Sequence, residues 1–458
     1  MAMPIEPARS LRHGLAWLAV LVLAGPTWGD QGGQLAEHRY QTTAAAPHWD
    51  AAAIRASHVR HDSGEIVVRR EADPCHLILV VESGDHHASL LDGERFEVIH
   101  RWPTRPGLRG SPKFSADGRF VFFTAGDGWI TKYDLQRLET VAEIRAGTAS
   151  RNAALSGDGR HLLVANDQPH TLVILDADDL SLRELIEVRD EEGRSSRVSA
   201  VYDAPARHSF IAALKDIPEL WELRYDADAP PVYQGFVHDF RLGEGVPVPG
   251  AFPPRRVRLD EPLDDFLFDP DYLYVIGVTG KGRVAAIDLD TRRRRAGLDL
   301  PGLPRPGAGV RWQRQGRTLL ALPNLREGVV TVIDEASWEV IKSIPTQGPG
   351  FFLASHADSP YLWGDVFFGP QQDVLHLIDK ESLEIAYSLR PEPGKRAAHV
   401  SFSGDGKYAL VSIWEEEGAL VVYDSASLAE VKRIPMQRPT GKYPVVSQIR
   451  RITSATEK

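Results

Sequence analysis

The fold class this sequence predicts is all-β, an eight-bladed β-propeller. Three observations predict it. A brief apolar stretch closed by aspartate recurs eight times: SLLD to Asp92, TKYD to Asp134, VILD to Asp176, LRYD to Asp226, AAID to Asp288, TVID to Asp334, HLID to Asp379 and VVYD to Asp424. The successive intervals are 42, 42, 50, 62, 46, 45 and 45 residues, and a 40–50-residue period of short β-rich units is the mark of a propeller. Within each period the grammar repeats. An Asp/Gly turn such as SADGR (115–119), SGDGR (156–160) or SGDGK (403–407) precedes an apolar strand, and a further turn follows the aspartate. The aspartates read as turn residues whose carboxylates cap backbone N–H groups.

Taken in order, the chain opens with Arg9, Arg12 and His13 before the apolar run GLAWLAVLVLA (14–24). About eleven apolar residues are too few to span a bilayer comfortably, and small residues near Gly29 offer a cleavage site. Residues 1–29 are therefore predicted to be an export signal, which implies a periplasmic protein with no membrane span after cleavage. Residues 30–64, rich in Ala, His and polar residues without a period, are predicted to be mobile. The propeller is predicted over 65–458, with EIVVRR (65–70) as the candidate strand that closes the ring. Blades are placed to begin near Ala72, Ser115, Ser156, Ala204, Asp269, Gln313, His356 and Ser403. The long interval holds a Gly-, Pro- and charge-rich insertion at 232–265, expected to cover one face and shape a binding site.

Composition narrows the function classes. The formal net charge is -10, and the densest basic run, Arg292–Arg295, sits at a turn; nucleic acid is not an expected partner. Cys75 is the only cysteine, so no intrachain disulfide forms, and no C-x-x-C-H is present for covalent c-type haem. No H-e-x-x-H-type zinc motif, P-loop, G-x-S-x-G or dinucleotide fingerprint occurs. What remains is a ligand at the central channel, on the face built from inter-blade loops. Basic and imidazole side chains are scattered through the candidate loops: Arg109 in 107–119, Arg151 in 145–160, Arg197 in 193–204, Lys215 in 211–223, Arg305 in 300–312, His356 in 348–365, His399 in 394–407 and Tyr443 in PTGKY.

These stretches carry a resemblance. VVESGDHHASLLDG, GSPKFSADGRFVFF, DGWITKYDL, RSSRVSAVYDA, SFIAALKDIPELWE, FVHDFR, GFFLASHADSPYLW, AAHVSFSGDGKYALVS and the terminal PTGKY fall in order along residues 72–450. Together they resemble the d1-haem propeller family of cytochrome cd1 nitrite reductase, and in texture its NirN/NirF-like branch of haem d1 biosynthesis. The resemblance implies a non-covalent haem d1, or its dihydro precursor, in the central pocket. Arginines suit its carboxylates, which they grip in bidentate fashion, and a neutral imidazole suits its iron. Arg109, Arg151, Arg197, Lys215, Arg305 and Tyr443 are the implied cofactor-binding residues. His356 and His399 are the implied metal ligands or proton-transfer groups.

The chain also departs from the family pattern. The loop expected to carry the proximal His reads LRGSPKF, with Arg109; the P-H-P-type loop reads PRPG, with Arg305; the C-terminal pattern reads KYPVVSQ. Guanidinium does not coordinate iron, which argues against nitrite reduction. The expected function is a periplasmic haem d1 or d1-precursor binding protein in haem d1 maturation, as an oxidoreductase on the tetrapyrrole if it is an enzyme. A periplasmic cytochrome or haem d1 maturation proteins are its expected partners. The alternative is a cofactor-free propeller that binds a small anion or another protein.

Overall fold

The computed structural model describes residues 49–61, 76–226, 228–234, 246–248 and 250–449. The predicted signal segment, EIVVRR, Cys75 and His238 of the insertion lie outside the described residues. Eight antiparallel sheets follow one another along the chain, each with four principal strands, as in an eight-bladed propeller. In seven blades the strands run in chain order from the channel outward; blade 3, for example, runs Ala149–Leu155, His161–Gln168, Thr171–Asp176, Leu182–Glu187. The ring closes through the C-terminus. Strand Pro439–Pro444 is the innermost strand of blade 1, paired with Leu77–Glu82. Residues 439–444 thus close the ring, while EIVVRR (65–70), the predicted closing strand, lies outside the described residues.

Burial within each blade explains the apolar grammar. The two middle strands are sandwiched between neighbouring blades and buried on both faces: Leu77–Glu82 is buried throughout, whereas the outer strand Arg293–Asp299 is almost wholly exposed. Both-face burial favours continuous apolar runs over alternation. Each fully buried Leu or Val contributes roughly 1.5–3 kcal/mol. Clusters cross the blade boundaries: Phe210, Trp221 and Val201 of blade 4 pack with Leu163 and Leu172 of blade 3. Ile78 and Val80 pack with Leu410 and Leu420, which seals blade 8 to blade 1.

All eight signature aspartates do what their position predicts. Each accepts backbone N–H donors two or three residues on, at 2.7–3.2 Å. For Asp288, Asp379 and Asp424 those backbone bonds are the first cause holding the carboxyl below its ordinary range.

Three expectations change. The Asp/Gly turns join the first strand of a blade to its second, so each blade starts one strand earlier than the sequence suggested: Ala149 rather than Ser156, Ala397 rather than Ser403. The insertion springs from the third-to-fourth-strand connection of blade 4, between Glu219–Arg224 and Pro254–Arg258. Its Phe252 packs edge-on against His161, at the end of the SGDGR turn. Asp264 and Asp265 belong to the innermost strand of blade 5, Leu263–Phe268. Finally, residues 49–61 of the segment predicted to be mobile contain regular structure. Asp50 caps helix Ala51–Ala56, Ile54 is fully buried, and Val59–Arg60 adds a fifth strand to the edge of blade 2. Covering an edge strand in this way removes unpaired backbone groups.

Antiparallel strands divide the connections between two faces. Inter-blade loops and second-to-third-strand loops emerge on one, the inter-blade face. The Asp/Gly turns and the signature aspartates lie on the other, the hairpin face. There, Tyr225 Oη donates to Asp203 Oδ1 at 3.0 Å and accepts from the Gly157 N–H at 3.2 Å. Burial raises the Asp203 carboxyl to about 8. A carboxyl with a raised folded pKa makes folding progressively less favourable as pH climbs from its unfolded value near 4 to its folded value near 8. Asp203→Asn keeps the acceptor for Tyr225 and cannot ionise. Its melting temperature relative to the unsubstituted protein should therefore rise by a few degrees between pH 5 and pH 8. Melting curves that stay parallel at the two pH values would contradict this assignment.

Candidate functional site

The structure sorts the sequence-derived residues into three groups on the inter-blade face and one outlier. Arg151, Arg305 and His399 gather where the innermost strands begin. Arg151 is the third residue of its strand, and its Nε donates to the Ser199 carbonyl at 3.0 Å. Arg305 leaves its loop over the Phe351 ring, 3.8 Å from the centroid, and donates from Nη1 to the Phe351 carbonyl at 2.9 Å. Burial pulls its guanidinium down from the ordinary value, Asp265, Tyr202 and Asp365 pull it up, and Arg151 opposes it. These are the charges that surround it, and guanidinium stays protonated throughout. Tyr202 occupies Asp265 through a hydrogen bond of 3.0 Å, and Asp264 lies 3.9 Å from Lys215. Neither carboxylate forms an ion pair with Arg305 in the structure.

His399 sits in a β-bulge. The ladder of blade 8 pairs Ala398 with Ser412 and then skips to Ser401 with Leu410. At φ 51° His399 adopts the left-handed region, uncommon for a residue with a Cβ. A bulge re-aims a side chain, and here the imidazole meets the Phe352 ring edge-on at 4.5 Å. Nδ1 is buried without a hydrogen-bond partner in the structure. Burial first, then the Lys442 ammonium and Arg305, hold the imidazole well below its usual range. His399 is therefore neutral at pH 7, able to accept a proton or to ligate iron.

The remaining residues lie apart. Arg197 and Lys215 are joined by a backbone hydrogen bond at the mouth of blade 4. Arg197 already grips Asp216 with two bonds, Nε to Oδ2 at 3.0 Å and Nη2 to Oδ1 at 2.6 Å. Arg109 and Tyr443 line a cavity between blades 1 and 2 with Glu82, Ser83 and Thr440. Burial raises the Tyr443 hydroxyl, which keeps it protonated. His356 is the outlier: it belongs to the first-to-second-strand turn of blade 7, on the hairpin face, against Phe402 and the SGDGK turn. The structure thus corrects the placement of His356 beside His399, because locating the blade starts one strand late put that turn on the wrong face.

Two polar residues escaped the sequence reading. Asp365 ends strand Tyr361–Asp365 and is 4% exposed. Its Oδ1 accepts the N–H groups of Phe351 and Phe352 at 2.7 and 3.0 Å, and Oδ2 accepts that of His399 at 3.4 Å. Burial outweighs these bonds and raises its carboxyl to about 6. Lys442, 2% exposed, donates from Nζ to the His399 carbonyl and to Ser412 Oγ, the latter at 2.7 Å. A single carboxylate inside the apolar run YLWGDVFF was the available signal for the first. For the second it was the parity of PTGKY, where alternate residues face opposite sides.

Among the described residues, no three His, Cys, Asp or Glu side chains converge as a cage for a bare ion. A tetrapyrrole makes a smaller demand, since its own four nitrogens hold the metal and the protein adds axial groups and contacts to the periphery. A neutral imidazole with an uncommitted ring nitrogen beside two arginines meets that demand.

Comparison with known proteins agrees with this geometry. The Cytochrome D1 heme domain model matches residues 72–239 and 250–448. The chain belongs to that family. Within it, the chain is 48% identical over 450 residues to dihydro-heme d1 dehydrogenase of Pseudomonas aeruginosa, covering 97% of this chain and 87% of that one. It is 26% identical over 386 residues to protein NirF of the same organism, covering 80% and 90%. A solved structure described as dihydro-heme d1 dehydrogenase NirN in complex with DHE superposes with a TM-score of 0.82 at 50% identity, covering 90% of this chain and 84% of that one. Nitrite reductase of Stutzerimonas stutzeri is more distant, at 24% over 402 residues. The family assignment agrees with the eight-bladed ring.

Proposed function

We propose that this protein binds dihydro-haem d1 in the mouth of the central channel and dehydrogenates it to haem d1. The observation that carries the reading is the neutral His399, set in its bulge beside Arg305 and Arg151, in a chain so similar to a dihydro-heme d1 dehydrogenase. Arg305 and Arg151 are the groups for substrate carboxylates, with Arg109 and Lys215 at the rim. The Phe351–Phe352 pair supplies an apolar wall, ring centroids 4.5 Å apart, that excludes water.

Removing two hydrogens from a saturated carbon pair breaks two C–H bonds and forms one C=C bond, releasing two protons and two electrons. His399 accepts one of the protons as general base and the other leaves to solvent. The two electrons depart one at a time to two equivalents of a one-electron acceptor, for which a periplasmic c-type cytochrome is the proposed partner, because this sequence carries no C-x-x-C-H of its own. Periplasmic residence is part of the same proposal and rests on the export-signal pattern of residues 1–29.

The test is direct. Purified protein is mixed with dihydro-haem d1, with and without an added c-type cytochrome, and the visible spectrum is followed. Binding should shift the absorption bands at once, and the acceptor should then drive conversion to the haem d1 spectrum. No shift on mixing would refute the site; a shift without conversion would refute the reaction.

A further inference from the structure

His399 is held from both sides by groups that have no direct business with a substrate. Its N–H faces Asp365 Oδ2 at 3.4 Å, and its carbonyl accepts from Lys442 Nζ. Asp365 comes from the second strand of blade 7, Lys442 from the innermost strand of blade 1, and His399 from the innermost strand of blade 8. Strands of three blades, through Asp365, His399 and Lys442, therefore meet on one residue, at its N–H and at its carbonyl. The same carboxylate holds the N–H groups of Phe351 and Phe352, and Phe352 is the ring that packs on the imidazole. The aromatic wall and the base are thus registered to a single pair of oxygens.

The backbone at His399 needs this support. A left-handed φ on a residue with a Cβ is strained and persists where the surroundings over-determine it. Burying either group is costly: burial draws the Lys442 amine well below the ordinary lysine value, against the pull of Asp365, and raises the Asp365 carboxyl to about 6. Neither residue forms a close ion pair with the other in the structure; Asp365 holds backbone N–H groups, and Lys442 holds the His399 carbonyl and Ser412 Oγ.

We propose that Asp365 and Lys442 are positioning residues that lock the strained His399 backbone, and so aim its imidazole into the channel. This rests on the proposed dehydrogenation for its kinetic consequence, but not for its structural one.

Asp365→Asn is the informative variant. Asn can keep its single carbonyl oxygen toward Phe351 and Phe352, but then its NH₂ faces the His399 N–H, donor against donor. His399 should be released while the Phe wall stays. The first readout needs no substrate. Carbethoxylation of His399 by diethyl pyrocarbonate, followed by peptide mass analysis, should speed up at least about fivefold in Asp365→Asn. The second readout is kinetic: kcat for dihydro-haem d1 should fall about 10–100-fold while KM changes less than about threefold. A general loss of fold would raise KM and modify other buried histidines such as His376, 1% exposed, to the same degree. Lys442→Met, which keeps the length of the side chain and removes its charge, should speed His399 modification in the same way. If both variants leave the His399 modification rate unchanged, or change it only together with His376, the proposal is overturned. If the unsubstituted protein does not convert dihydro-haem d1, the proposed function fails, and the modification rates still decide this inference.

Discussion

His399→Ala should lower kcat for dihydro-haem d1 by about 10²–10⁴-fold, the range expected when a positioned general base is removed, and leave most of the binding intact. The asymmetry follows from the division of labour in the site. In the proposed site the ligand is held by Arg305, Arg151 and the Phe351–Phe352 wall, of which only Phe352 touches the imidazole. His399 starts neutral, because burial, Lys442 and Arg305 hold its pKa down; the same influences weaken it as a base, so its contribution rests on position. Ala at 399 removes the contact with Phe352 but keeps the backbone bonds to Asp365 and Lys442 that fix the bulge. Stopped-flow absorbance with saturating substrate separates the two quantities. If kcat stays within threefold of the unsubstituted enzyme, His399 is not the base. If the binding spectrum changes as well, the imidazole also reaches the iron, and the two roles divide between the binding and turnover phases. His356→Ala is the matched control. It lies on the hairpin face, against Phe402, so both phases should be unaffected.

Much of the scaffold was legible because its punctuation is chemical. An aspartate that caps two N–H groups at the same turn of every blade leaves a periodic mark, and all eight were found where the turns are. The innermost strands left no such mark. Lys113–Phe114 and Leu353–Ala354 are only two residues long, and Ala149–Leu155 reads ASRNAAL, with Ser150 and Asn152 buried and bonded to neighbouring strands. Strands without an apolar run were overlooked, so the blades were started late and His356 was assigned to the wrong end of the molecule. The closing strand escaped for the same reason: PTGKYP has neither alternation nor an apolar run, and its identity as a strand comes from pairing with Leu77–Glu82, more than 350 residues away. At the site, arginine and histidine could be listed from their loops. What could not be foreseen was commitment. Arg197 is bound to Asp216, Asp265 to Tyr202, and Lys215 lies near Asp264, which leaves Arg305 with much of its donor capacity. These are tertiary facts that no local pattern encodes.

That difference in commitment sets the second large expected effect. Arg305→Leu should weaken dihydro-haem d1 binding about 10–100-fold, whereas Arg197→Gln should change it less than about threefold. A charge-assisted hydrogen bond contributes about 1.5–3 kcal/mol, and every 1.4 kcal/mol is tenfold in Kd. Arg305 can deliver that energy because it is prepaid in conformation: Phe351 holds the guanidinium by its ring face and its carbonyl, so little side-chain entropy remains to be lost on binding. Arg197 must first give up two bonds to Asp216, and its side chain is 43% exposed, so water and salt screen whatever it gains. Arg305→Lys should not restore affinity, because an ammonium cannot both lie flat on Phe351 and offer a forked pair of donors to a carboxylate. Equilibrium titration of each variant by visible absorbance measures the three constants. Equal losses at Arg305 and Arg197 would mean that the ligand sits over the blade 4 mouth instead of beside His399. An Arg305→Leu Kd within twofold of the unsubstituted value would remove Arg305 from the binding set and leave its stacking on Phe351 as a purely structural contact.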